Sequence, residues 1–167
     1  MSIAQSLLPE FDHEMATTRR LLERVPDDRL EFKPHDKSMT LARLASHLAE
    51  LPNWTVITLD RTELDLSPPG EPAYVPKIHG SREDLLATFD GHVAAAHAAI
   101  EAADDDTFKV GWTLKNAGQD LFTLPRIAVL RSWVVNHIIH HRGQLSVYLR
   151  LNDVPVPSIY GPTADES

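Results

Sequence analysis

The residues of this chain best suited to chemistry are its histidines. There are nine of them and no cysteine, so any metal ligand or nucleophile in the chain is nitrogen or oxygen. Disulfides, zinc fingers and iron–sulfur sites are excluded. His137 and His141 stand four residues apart. In a helix that spacing puts two Cβ atoms about 6 Å apart on one face, within reach of one ion at metal–nitrogen distances near 2.1 Å. The spacing alone is a weak signal, because nine histidines in 167 residues give about 0.5 such pairs by chance. A buried pair satisfied by backbone or water accounts for it equally well.

The surrounding pattern adds weight to the metal. Leu130, Val134, His137, His141, Leu145 and Tyr148 recur at steps of 4, 3, 4, 4 and 3, the period of one helical face, so both histidines interrupt an apolar stripe. His47 follows Leu44 by three and precedes Leu51 by four, on or beside the inward stripe of another helix. Three neutral imidazoles in an apolar core each need partners for two ring nitrogens, and a shared ion satisfies one nitrogen of each. The trio therefore favours a metal site. Glu50, three residues after His47, is a candidate to orient a metal water or act as a base, its alternative being a solvated carboxylate on a helix face. His140 points along a different face with Trp133 and Gln144, either behind the site or on the surface. His92 and His97 read as ordinary interfacial residues, and His13, His35 and His79, in polar surroundings, as solvated ones.

Four long helical patterns would position these residues. The first opens at a capping box, Ser2 with Gln5, and Pro9 argues for a kink or a start nearer Ser6. Its stripe is Leu8, Phe11, Met15, Thr18, Leu22 and Val25. The second starts near Thr40 and shows Leu41, Leu44, Ala45, Leu48 and Leu51, with a kink expected at Pro52. Residues 61–80 carry Pro68, Pro69, Gly70, Pro72 and Pro76 and read as an extended loop. The third helix opens at Ser81 and runs through Leu85, Phe89, Val93, Ala96 and Ile100. Val110, Trp112 and Leu114 then alternate before Asn116-Ala117-Gly118, which suggests a small hairpin or structured loop. The fourth helix follows Thr123 and reaches about Leu151, with Pro125 in its first turn. These patterns predict an all-α four-helix bundle forming one domain over residues 1–167.

Composition bounds the partners. Twenty-four acidic residues against 16 basic ones leave a net charge of −8, which disfavours nucleic acid and anionic membranes. No apolar run approaches the roughly 18 residues of a membrane span, and the acidic N-terminal stretch lacks a leader, so a cytoplasmic location is expected.

The stretch His137-Ile-Ile-His-His141-Arg-Gly-Gln144-Leu, with Tyr148 and Arg150 beyond it, leads into Val154-Pro155-Val156-Pro157-Ser-Ile-Tyr160-Gly161-Pro162. Upstream stands Leu41-Ala-Arg-Leu-Ala-Ser-His47-Leu-Ala-Glu50-Leu, followed by Pro52 and Trp54. Together and in this order they resemble the DinB family, the DinB/YfiT-like metalloenzyme superfamily, over essentially the whole chain. The resemblance implies a four-helix bundle of up-down-down-up topology, often a homodimer, with a divalent metal on His47, His137 and His141. It also implies a metal-dependent enzyme, such as a transferase using a low-molecular-weight thiol like bacillithiol or mycothiol, with a small-molecule substrate. A metal-dependent hydrolase, and a non-catalytic stress-response or binding module that the metal only staples, are the alternatives. Glu50 and His140 are the candidate proton carriers. Affinity order puts nickel or zinc ahead of iron or manganese, although cellular supply can override it.

Overall fold

Local signals in the sequence set the start of each long helix. The structure, a computed structural model, describes residues 1–166. Ser2 Oγ accepts from the Gln5 N–H at 3.1 Å while Gln5 Oε1 accepts from the Ser2 N–H at 2.9 Å, and this closed box opens α1 (Ile3–Leu22). The helix starts at Ile3 rather than near Ser6 and continues past Pro9. Its inward stripe takes Leu7 in place of the half-buried Leu8, then Phe11, Met15, Thr18 and Leu22. Thr40 caps α2 (Leu41–Glu50) by accepting from the Arg43 N–H at 3.1 Å. Pro52 has no N–H to continue that helix, and the chain restarts as α3 (Asn53–Asp60). Ser81 caps α4 (Arg82–Ala102) through the Asp84 N–H at 3.2 Å, and the short α5 (Asp105–Lys109) follows.

A small sheet stands beside the helices. β1 (Glu63–Asp65) pairs in parallel with β2 (Gly111–Asn116), which pairs antiparallel with β3 (Gln119–Pro125). The β2–β3 connection needs two residues at positive φ, and Ala117 (51°) and Gly118 (77°) supply them, as a two-residue hairpin of this hand requires. Asp65 ties the third strand to this turn by accepting from the Gly118 N–H at 2.7 Å. Trp112 and Leu114 alternate inward from β2 onto Val129, with Trp54 and Trp133 packed against them. The last helix begins as α6 (Arg126–Val129), passes through a π-helical turn at Leu130–Val135 and continues as α7 (Asn136–Leu151). The main core lies among α1, α2, α4 and α7 and includes Phe11, Leu44, Phe89 and Leu145.

The expected all-α, up-down-down-up four-helix bundle is overturned. The chain is of mixed class, 56% helical, with a three-stranded mixed sheet and five helices of eight residues or more among the described residues. Two local causes account for the difference. Pro52 divides the second helical pattern into α2 and α3. The residues read as a small hairpin or structured loop form β2 and β3, and they recruit a third strand from the proline-rich loop.

Candidate metal centre

His47 on α2 and His137 and His141 on α7 converge, with one ring nitrogen of each lying within 4.8 Å of the others. His137 Nε2 is 3.3 Å from His47 Nε2 and 2.9 Å from His141 Nε2. Two nitrogens each about 2.1 Å from one ion lie roughly 3.0 Å apart at a right angle and roughly 3.4 Å apart at the tetrahedral angle. The observed separations are those of a ligand set, and the group could hold a metal ion.

The outer ring nitrogens sharpen this. His137 Nδ1 is 3.3 Å from the Trp133 carbonyl oxygen, which can only accept, so Nδ1 carries the proton. His141 Nδ1 donates to Gln144 Oε1 at 2.8 Å, and the Gln144 amide nitrogen donates to His140 Nε2 at 3.0 Å. Neutral rings held in these tautomers present bare lone pairs at Nε2. Two lone pairs 2.9 Å apart repel one another unless a cation lies between them. A ligating histidine typically donates its other N–H to a carbonyl or amide oxygen in this way. The π-helical turn takes part in the arrangement. There the Asn136 N–H donates to Arg131, five residues back, and the Trp133 carbonyl of the same turn receives the His137 ring.

Burial keeps the rings neutral. Desolvation, followed by the neighbouring His141 and His137 and the Arg43 charge, pushes the His47 pKa down to about 3. His137 is lowered by burial and then by His141. Burial also lowers His141, opposed by its bond to Gln144. His141 is 9% exposed, while His47 and His137 are half-buried. His137 also lines a shallow surface depression of about 310 Å³ with Ser132, Trp133, Asn136 and His140.

The two candidate proton carriers lie in different places. His140 is exposed at that depression, its ring 4.9 Å from the His141 ring. Glu50 borders a separate cavity of about 160 Å³ walled by Trp54, Ile57 and Tyr74, which none of the three histidines lines. Its Oε1 accepts from the Lys77 N–H at 3.0 Å. The Tyr74 phenol is pushed up to about 12, first by burial and then by the Glu50 carboxylate. Trp54 stacks on Trp133 at 6.4 Å, and Trp133 stands edge-on to His137 at 6.1 Å.

The remaining histidines sort clearly. His92 binds the Ala49 carbonyl through Nδ1 at 2.8 Å, and His97 lies 3.5 Å from Asp12. His13 and His35 are exposed. His79, expected to be solvated, is 3% exposed with neither ring nitrogen hydrogen-bonded, while its backbone N–H donates to Ser46 Oγ at 2.9 Å. Gln144 was not singled out from the sequence as a site residue, although its spacing of three from His141 and four from His140 is a helix-neighbour signal. The cluster of buried Glu14 and Arg142, covered by the exposed Tyr160, was missed altogether. Arg142 Nη1 lies 2.6 Å from Glu14 Oε2, and the Tyr160 hydroxyl bonds to both residues. Charged residues beside an apolar stripe read as solvated, and only the tertiary packing brings Glu14 and Arg142 together.

The fold agrees with what the chain is similar to. The sequence model of the DinB superfamily matches residues 10–145, and the chain belongs to that superfamily. A protein of Bacillus subtilis (strain 168) described as uncharacterized protein YrdA is 28% identical over 166 residues, spanning 95% of this chain and 89% of its own length. The crystal structure of a DinB-like protein from Bacillus cereus ATCC 10987 superposes with a TM-score of 0.73 at 21% identity, over 95% of this chain and 98% of that one. A second DinB-like structure, YjoA of Bacillus subtilis, gives a TM-score of 0.68 at 18% identity over 95% and 99%. These two likenesses establish the fold. No helix among the described residues is long and apolar enough to cross a membrane.

Proposed function

We propose that this chain binds a divalent metal ion through the Nε2 atoms of His47, His137 and His141 and is a metal-dependent enzyme, a transferase for a low-molecular-weight thiol. The observation that carries the metal is the pair of bare lone pairs 2.9 Å apart, each held in place by the hydrogen bond on the far side of its ring. When bound, such an ion supplies Lewis acidity, which polarises a carbonyl or favours a thiol's ionised form. The chain's own residues do the rest. Trp133 and Gln144 fix the two α7 rings, burial keeps all three imidazoles unprotonated at neutral pH, and the depression at His137 gives a small molecule access. His140, exposed at that depression and joined to His141 through Gln144, is placed to exchange a proton with solvent. The thiol comes from the family resemblance, and a chain without cysteine needs it from outside.

The purely structural reading draws support from the site's position, since an ion there would tie α2 to α7. The access at His137 favours the catalytic one. Elemental analysis of protein purified without added metal, beside the His47→Ala/His137→Ala/His141→Ala variant, tests the assignment. The wild type should retain an ion and the variant should not; equal content in both overturns it. Turnover of a model electrophile should require added thiol, and turnover unchanged without any thiol removes the transferase.

A further inference from the structure

Every half-buried or buried arginine among the described residues has an acceptor for its guanidinium except one. Arg19 is bound to Asp90, Arg142 to Glu14, and Arg126 to the Arg61 carbonyl. Arg20 and Arg61 make no such bond, but both are exposed. Arg43 is half-buried, its guanidinium has no hydrogen bond or ion pair, and its Nη1 is buried out of reach of water. The shortage is not one of carboxylates, since acids outnumber bases by 24 to 16. Glu50, two helical turns further along α2, accepts from the Lys77 N–H instead. An unpaired buried donor is costly, and a charged one more so.

Its position is informative. Arg43 precedes His47 by four residues on α2, so the two side chains are neighbours on one face. The charge of Arg43 is felt at both His47 and His141, which it helps to hold unprotonated. Three neutral imidazoles contribute no negative charge, so a divalent ion on them would leave its own charge uncompensated next to this guanidinium. That last step rests on the metal reading; the missing partner of Arg43 does not.

We propose that Arg43 is the anion-recognition residue of the site, so that its small-molecule substrate carries a carboxylate held by the Arg43 guanidinium while its reacting end lies at the histidine trio. With Nη1 closed off, the Nε and Nη2 side of the planar fork is the part left to match a carboxylate in two parallel bonds. A single guanidinium in an acidic protein suits a monoanion better than a phosphate dianion.

Calorimetric titration with four probes tests this: 3-mercaptopropionate, propionate, 2-mercaptoethanol and inorganic phosphate, each against the wild type, Arg43→Gln and Arg43→Lys. 3-Mercaptopropionate should bind at least about tenfold more tightly than 2-mercaptoethanol, as expected of a charge-assisted pair. Arg43→Gln should abolish that advantage and Arg43→Lys should recover part of it, with metal content unchanged in both. Equal binding of the two thiols, or an advantage that survives Arg43→Gln, overturns the proposal, as does failure of both 3-mercaptopropionate and propionate to bind. Tighter binding of phosphate overturns the carboxylate and leaves only an anion seat. Propionate binding that depends on Arg43, with nothing added by the thiol, would uphold Arg43 and sink the thiol reading instead.

Discussion

His141 and Arg142 are neighbours on α7, yet they enter two polar clusters of opposite character. Arg142, 1% exposed, meets the carboxylate of Glu14, itself 6% exposed, and the Glu14 and Thr18 oxygens and the Tyr160 hydroxyl take its remaining donors. Positive charge faces negative charge and the cluster is complete. His141 meets His137 bare nitrogen toward bare nitrogen, with His47 Nε2 3.3 Å from His137 Nε2, and no carboxylate hydrogen-bonds to any of the three rings among the described residues. A buried polar cluster that satisfies itself is structural. One whose members share the same deficiency is built for something the chain does not contain.

The comparison can be broken most sharply by exchanging the two outcomes. His141→Ala should abolish metal retention in elemental analysis, because two imidazoles on separate helices bind a divalent ion poorly, while the metal-free chain keeps its denaturation midpoint. Arg142→Leu should do the reverse, costing about 3 to 5 kcal/mol in urea unfolding because Glu14 is left buried and unpaired. If Arg142→Leu loses metal before it loses stability, the two clusters are not separate. Gln144→Leu should weaken metal binding roughly 10- to 100-fold, measured by competition with a chelator, with little change in the unfolding of the metal-free chain. Tyr160→Phe removes a hydroxyl bonded to charged groups, but Tyr160 is 64% exposed and water can replace that bond, so it should cost only about 0.5 to 1.5 kcal/mol, with metal content untouched.

Acidification separates the clusters in another way. The His47 pKa is about 3 in the folded chain against an ordinary 6.5. Between those values the unfolded chain takes up a proton that the folded chain refuses. The stability of the metal-free protein is therefore full above about pH 6.5 and falls as the pH drops toward 3. Unfolding midpoints across that range should decline less steeply for the triple histidine variant than for the wild type.

How much of this could be read from sequence followed from range. The caps at Ser2, Thr40 and Ser81 are contacts within one helical turn, and each was legible as a residue type in the right place. The meeting of His47 with His137 and His141 was legible because each lay on an inward stripe, and two stripes of one core must face each other. β1 was not: three residues in a proline-rich loop carry no period, and only the neighbouring β2 makes them a strand. His79 sits among polar residues in sequence, but its backbone bond to Ser46 draws the ring inward, which no local pattern records. The π-helical turn at Leu130–Val135 hides inside a stripe that reads as ordinary α-helix, although it carries the carbonyl that orients His137.

The central claim is that the trio holds an ion and leaves part of its shell open. X-ray absorption at the metal edge, on protein purified without added metal, tests this most directly. The account predicts three imidazole nitrogens at about 2.1 Å and at least one further light-atom ligand that changes when a thiol is added. A shell without imidazole, or one closed entirely by protein ligands and indifferent to thiol, would contradict it.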